Sequence, residues 1–218
     1  MGTLRTARQS MELFLPEPKD LKLRDCQELM ERSLFDLNSR GVRRFTPIIH
    51  RDKKHQITVM PDERHGMATI HDADILLYAI SHIVRDINNG IEPSRFIRAP
   101  HYDIFKTIGR IPNGESYKRI IAALQRLMHT SVEIVYRDGD DDGKPIKHEF
   151  SWITEYASYE GRKEAYFAIA EWIFDSVLDT KKTLNINPAY FSLKGGYERF
   201  LYKVARKHGG RQEGGYTL

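Results

Sequence analysis

Polar and cationic side chains between residues 115 and 129 have the types and spacing to contact phosphates and bases. Apolar residues there recur at helical spacing, so the opposite helix face would present Ser116, Lys118, Arg119, Gln125, Arg126 and His129. Lysine and arginine neutralise phosphates, and the planar ends of arginine and glutamine can pair with two atoms of one base edge. The small Ala122 on this face would allow close approach to a groove. Since a solvated helix surface has the same pattern, the neighbouring elements must decide between the two interpretations.

Those neighbours favour nucleic-acid contact. A shorter helix is predicted over residues 101–109, followed by a turn that contains Arg110 and ends at Gly114. After the second helix, apolar residues alternate over 132–136 and again over 146–152, which predicts a β-hairpin. Helix, turn, helix and hairpin are the element order of a winged helix. The sequence therefore predicts a recognition helix over 115–129, with Arg110 as a further phosphate partner.

A second cationic helix is predicted over residues 197–208. Its spacing turns the apolar residues Tyr197, Phe200, Leu201, Val204 and Ala205 inward, and the outward face then holds Arg199, Lys203, Arg206, Lys207 and His208. Cations in the last turn also complement the helix dipole, so dipole stabilisation is the alternative to DNA contact. Arg206 and Lys207 are the candidate DNA-binding residues on this helix.

The tip of the predicted hairpin is acidic. Residues 138–143 and Glu149 match the spacing of an EF-hand calcium loop. Strands rather than helices flank the loop, and Pro145 takes a position that is normally apolar. The sequence therefore favours an acidic tip that repels DNA phosphate, and no metal site is predicted.

The remaining segments extend this core. A hairpin is predicted between Phe45 and Val59, a central apolar helix ends near residue 88, a strand covers 165–170 and a short helix covers 171–179. The predicted fold class is α+β, a winged helix enlarged by an N-terminal hairpin and an extra strand and helix. Residues 1–43 are predicted as an N-terminal arm, 44–208 as the winged-helix domain and 209–218 as a linker.

Composition excludes several classes of protein. The 218 residues carry a net charge of +4 and 40% hydrophobic residues, enough for a packed core. A single cysteine excludes a disulfide framework, and no apolar run approaches the length of a membrane span. No catalytic or nucleotide-binding motif is present, so neither an enzyme nor a cofactor is predicted. Residues 94–137 hold eight Lys and Arg against three Asp and Glu, whereas residues 138–192 hold six against eleven.

Several separated blocks carry a family resemblance. They are MATIHDADILLYAI at 67–80, YDIF at 102–105, GESYKRIIAALQRL at 114–127, EWIF at 171–174 and YERFLYKVARKHG at 197–209. In this order they resemble the plasmid replication initiator A proteins of bacteria, over roughly residues 44–218. The resemblance implies a cytoplasmic protein with two winged-helix domains, the second of which would begin near residue 218.

The same resemblance implies the partners. Such initiators bind iterons, the repeated sequences of duplex DNA at a plasmid origin, open the duplex with the host initiator and help recruit the replicative helicase. Their N-terminal domain also forms a homodimer, and dimers repress their own gene, which controls copy number. The expected function is thus an initiator fragment that binds iteron DNA through Arg110, Ser116, Lys118, Arg119, Gln125, Arg126, Arg206 and Lys207. The alternatives are a dimerisation module without DNA contact, a winged-helix repressor, and a metal-binding or enzymatic domain that uses the acidic loop.

Overall fold

The computed structural model of the chain describes residues 21–38, 44–137, 144–158 and 164–209. The helices in these ranges are α1 (Glu28–Glu31), α2 (Ala73–Asn88), α3 (His101–Thr107), α4 (Gly114–His129), α5 (Glu171–Leu178) and α6 (Gly196–His208). The strands are β1 (Arg24–Cys26), β2 (Ile48–Arg51), β3 (His55–Met60), β4 (Phe96–Pro100), β5 (Ser131–Tyr136), β6 (Ile146–Ser151), β7 (Ile153–Ser158), β8 (Glu164–Ile169) and β9 (Thr183–Asn185).

All strand pairs within the three sheets are antiparallel. One sheet has the order β2-β3-β5-β6, a second has the order β4-β8-β7, and β1 pairs with β9. In the largest sheet Ile57 lies opposite Ile134, which lies opposite His148. The predicted mixture of helices and strands is confirmed. Helices α3 and α4 and the β5–β6 hairpin follow in the predicted order, whereas their assignment to a winged helix stays a prediction.

Helix α2 is the centre of the core, as its apolar sequence predicts. Every residue from Ala73 to Ser81 is buried, and the helix packs against β1, α3 and α5. Its start is fixed by a reciprocal pair, because the Thr69 N–H donates to Asp72 Oδ2 at 2.8 Å and the Asp72 N–H donates to Thr69 Oγ1 at 3.2 Å. Each fully buried leucine or isoleucine in this helix contributes about 1.5–3 kcal/mol.

The segment before residue 39 differs from the predicted arm. Cys26, Met30 and Phe35 are buried, and β1 pairs with β9 near the other end of the chain. Residues 21–37 therefore belong to the folded core.

Strand β4 differs from the prediction as well, because it is short and its alternation is broken by Pro100, so the sequence does not predict it. Its place beside β8 is set by backbone pairing between distant segments.

The predicted inward face of α6 is wrong in part, since Phe200 packs against the core but two other apolar residues do not. Tyr197 and Leu201 are 67% and 62% exposed, whereas Arg199 and Lys203 are only 5% and 3% exposed. The reason is two buried carboxylates, since Arg199 Nη1 lies 2.7 Å from both oxygens of Asp74 and Lys203 Nζ lies 2.8 Å from Asp25 Oδ2. Leaving a buried carboxylate unpaired costs about 3–5 kcal/mol, against about 1.5–3 kcal/mol for leaving an apolar side chain exposed. Helix α6 is thus rotated so that two of its cations face the core.

The other predictions concern a membrane span, the hairpin tip and the two termini. Among the helices in the described ranges, none is long and apolar enough to cross a membrane. The acidic tip at 138–143, the first twenty residues and the linker from 210 onward lie outside the described residues.

Candidate nucleic-acid interface

The turn before α4 is tight and internally bonded. Gly109 has a φ of +68°, and a Cβ added there would lie 3.1 Å from Phe191 Cβ, so the turn requires glycine. The Asn113 side chain caps α4 by accepting from the Ser116 N–H at 2.8 Å, and Ser116 Oγ donates to the Ile111 carbonyl at 2.7 Å. The predicted site residue Ser116 therefore holds the turn in shape.

Helix α4 has the two faces that its spacing predicts. Ile120, Ala123, Leu124 and Leu127 are buried. The opposite face carries the exposed Lys118, Arg119 and His129 and the half-buried Ala122 and Gln125. Arg119 Nε lies 3.2 Å from Glu115 Oε1, but both side chains are largely exposed, so this pair is weak and the guanidinium can change partners.

Arg126 does not lie on the free outward face as predicted. Its Nε and Nη2 donate to Asp72 Oδ2 and Oδ1, each at 2.7 Å, in a two-pronged pair. The Asp72 carboxylate raises the pKa of Arg126, mainly through the hydrogen bond. The pair joins α4 to the start of α2 and fixes the orientation of the candidate interface.

Arg110 is also held by the core. Its Nη2 donates to the His71 carbonyl at 2.8 Å and lies 3.3 Å from the buried Asp74 Oδ2. Burial lowers the pKa of His71 to about 4, with smaller contributions from Arg199 and Arg110, so this imidazole is neutral at neutral pH. Arg110 was predicted as a free phosphate partner, but its Nη2 attaches the turn to α2 and its start.

Four of the predicted residues meet at one cleft of about 750 Å³ at the N-terminal end of α4: Arg110, Ser116, Arg119 and Arg126. Lys194 also lines it, from the segment before α6. The charged lining comprises the three arginines, Lys194 and the carboxylates of Asp36 and Asp72. The cleft is therefore cationic overall, beside the N–H groups of a helix start.

Lys194 is a candidate that sequence reasoning missed. It is exposed and lies outside any helix or strand. No periodicity marked it, and only the tertiary fold brings it to α4, which lies 65–80 residues earlier in the chain.

Arg206 and Lys207 lie apart from this cleft. Arg206 Nε donates to the Asn185 carbonyl at 2.8 Å, and Lys207 Nζ lies 2.6 Å from Glu31 Oε2. Neither lines the cleft at α4. These contacts attach α6 to β9 and α1, so the structure gives both side chains a structural role.

The described part of the hairpin shows no metal site. Glu149 lies in β6, accepts from Ser131 Oγ at 3.2 Å and lies 3.6 Å from Lys147 Nζ. Among the described residues no group of three His, Cys, Asp or Glu side chains could hold a metal ion.

The chain matches one family model and one curated protein. The model of the family described as Replication initiator protein A matches residues 24–218. A protein of Wigglesworthia glossinidia brevipalpis, named "Putative replication protein", is 31% identical over 155 residues, which are 68% of this chain and 55% of that protein. The chain thus spans about half the length of this curated relative.

Solved structures of domains 2 and 3 of RctB share the fold. One has a TM-score of 0.64 at 13% identity, covering 83% of this chain and 71% of that one. A second has a TM-score of 0.58, also at 13% identity, covering 79% and 67%. At this identity the likeness concerns the fold alone.

Proposed function

The chain belongs to the replication initiator protein A family, and from this premise we propose that it acts in replication initiation by binding duplex DNA through α4. The observation that carries the proposal is the cationic cleft at the start of α4, next to the exposed face of the same helix. Phosphate contacts supply most of the affinity of a DNA-binding protein, and base contacts supply specificity.

In this proposal the cleft holds a backbone phosphate. Arg119 and Lys194 are the cations best placed to contact it, because Arg110 and Arg126 are paired with buried carboxylates, whereas the Arg119–Glu115 pair is exposed and weak. Lys118, Gln125 and His129 lie on one stripe of α4, with the small Ala122 between them. This stripe is about 16 Å long at 1.5 Å per residue, so it could span several base edges in a major groove.

The finer features of the family belong to the same proposal. We assign α3, α4 and the β5–β6 hairpin to a winged helix, and the DNA to the iterons of a plasmid origin in the bacterial cytoplasm. The role needs no catalysis, since binding and deforming the duplex suffices. The host initiator and the replicative helicase are the proposed partners at the opened origin.

Dimerisation is the second function that the family suggests. Strand β2 is an edge of the four-stranded sheet, and Phe45 and Ile49 beside and within it are about half exposed. An exposed apolar edge is suited to pairing with a second copy. We propose this edge for a homodimer that represses its own gene and so controls copy number.

Salt-dependent binding to a labelled duplex with the origin repeats tests the DNA proposal. Lys118→Ala and Arg119→Ala should each weaken binding and lower the salt slope by about one per lost phosphate contact. Lys181→Ala is the matched control, because it removes the same charge from an exposed lysine distant in sequence from α4. Unchanged binding by both α4 variants would refute the assignment.

The same binding experiment, combined with sedimentation, tests the alternative that the chain is a dimerisation module without DNA contact. Such a module would sediment as a dimer and bind origin and unrelated duplexes equally weakly. Ile49→Lys should dissociate a dimer formed at β2 and leave the cleft at α4 intact, because the two surfaces share no residue.

A further inference from the structure

A second cleft, of about 560 Å³, lies over the four-stranded sheet beneath α1 and the start of α5. Its apolar and aromatic lining includes Ile57, Ile134, Tyr136, Phe150, Trp152 and Trp172. No residue of α4 lines it, so it is separate from the proposed DNA interface. Its volume lies within the range of about 300–1,000 Å³ that is usual for ligand sites in proteins.

The aromatic side chains form a fixed frame. Phe150 stacks on Trp172 with ring centroids 5.2 Å apart, and it meets Trp152 edge-on at 6.0 Å. Trp152 is fully buried, and its indole nitrogen has no hydrogen-bond partner among the described residues. A buried N–H without an acceptor is rare in a folded core. The cleft is therefore preformed, apolar and beside an unsatisfied donor.

Some charged side chains at the rim of this cleft are paired and others are not. Arg32 pairs with Asp52, and Glu31 pairs with Lys207, so these groups are already neutralised. Lys53 and Lys54 are exposed, and within the described ranges neither is paired with a carboxylate. Glu28, the remaining carboxylate of the lining, accepts from Ser176 Oγ at 3.2 Å. Two lysines against this one carboxylate leave the entrance with a net positive charge.

A strand edge that no other described strand pairs with adjoins the cleft. Strand β6 ends the order of its sheet, and its residues from Ile146 to Glu149 are exposed. The same strand carries Phe150 into the cleft, opposite Val132 of β5. A strand edge presents backbone donors and acceptors at a spacing that suits only an extended chain.

We propose that this cleft and the adjoining edge of β6 bind an extended peptide segment of another protein. One bulky apolar side chain of the segment fills the cleft, and an acidic residue beside it faces Lys53 and Lys54. Apolar lining, edge hydrogen bonds and basic rim together favour a peptide over duplex DNA, which needs a wider cationic surface.

The two tryptophans of the chain, Trp152 and Trp172, both line the cleft, so their emission reports on its occupancy. The probes are synthetic peptides acetyl-Asp-Val-X-Val-Asp-amide, which contain no tryptophan. Position X is a bulky residue (Phe, Leu or Ile) or Ala. We expect a saturable change of emission with at least one bulky residue at X and a much weaker response with Ala. Added salt should weaken binding, because the rim contact is electrostatic.

Two matched variants locate the site. Tyr136→Glu puts a carboxylate into the cleft and should weaken peptide binding by at least about tenfold. Val135→Glu carries the same change on the opposite face of β5 and should leave affinity within about twofold. Lys54→Glu, on the exposed rim, gives a test that does not depend on core packing and should weaken the acidic peptides.

Three results would overturn the proposal. One is no saturable response to any bulky peptide, and another is an equal loss in Tyr136→Glu and Val135→Glu. The third is an emission change that follows protein concentration without peptide, accompanied by a dimer that Tyr136→Glu dissociates. That result would assign the cleft to a second copy of this chain.

Discussion

Replacing Arg199 by methionine would remove the main partner of a carboxylate with no solvent exposure. The Asp74 side chain is fully buried, and Arg199 Nη1 lies 2.7 Å from both of its oxygens. Arg110 would remain 3.3 Å away, but that arginine is partly exposed and held mainly by the His71 carbonyl. Arg199→Met keeps most of the side-chain volume, so the lost stability reports mainly on the charge.

The expected loss is about 3 kcal/mol. Removing one partner of a buried ion pair typically costs about 3–5 kcal/mol, and the remaining Arg110 places this site at the lower end. A loss of about 3 kcal/mol is a large part of the roughly 5–15 kcal/mol by which domains are stable. Arg199→Met combined with Asp74→Leu should recover at least about 2 kcal/mol, because no buried charge is left unpaired.

The loss should also depend on pH. Burial raises the pKa of the Asp74 carboxyl above its ordinary value, and Arg199 and Arg110 oppose the rise. Without Arg199 the pKa rises further. A group whose folded pKa is raised stabilises the fold while it is protonated, and this stabilisation is lost as pH rises through the folded pKa. The variant should therefore lose less stability at pH 5 than at pH 8.

Urea unfolding followed by tryptophan emission measures these differences. Arg206→Met is the matched control, because it removes the same charge from the same helix at a half-buried residue whose guanidinium donates to the Asn185 carbonyl and to no buried carboxylate of the described residues. The control should lose under about 1 kcal/mol. A loss below about 1 kcal/mol for Arg199→Met, or no recovery in the double variant, would refute the reasoning.

Two further predictions concern Arg126 and Cys26. Arg126→Ala should lower the free energy of unfolding in urea by about 2 kcal/mol, because Asp72 is left buried without its partner. The DNA affinity of the folded variant should fall less than that of Lys118→Ala, and the reverse order would show direct DNA contact by Arg126. Burial raises the pKa of the Cys26 thiol to about 12, so a disulfide reagent should label it only on unfolding, and rapid labelling of the native protein would contradict its burial.

Much of the local structure could be predicted from the sequence. Helices α2 and α4 and the β5–β6 hairpin have long, regular patterns of apolar residues, and such patterns depend only on neighbours along the chain. Strands β1 and β4 could not be found in this way. Each is short, and its pairing partner lies far away in the sequence.

The candidate site could likewise be predicted only in part. The exposed positions of Lys118, Arg119 and Gln125 follow from the helical period of α4. Which arginines are free does not follow, because Arg126 pairs with a carboxylate 54 positions away. Lys194 joined the cleft without any sequence signal at all.

By itself the sequence determined the order of the elements, the central helix and the face of α4 that meets solvent, since these depend on the spacing of apolar residues. Only the tertiary structure decided which face of α6 is buried and which cations of the cleft at α4 are paired with buried carboxylates. The physical reason is that Arg199 and Asp74 are 125 positions apart. A buried carboxylate attracts its cation strongly enough to override a helix's own apolar pattern, and no local pattern reveals that the carboxylate is there.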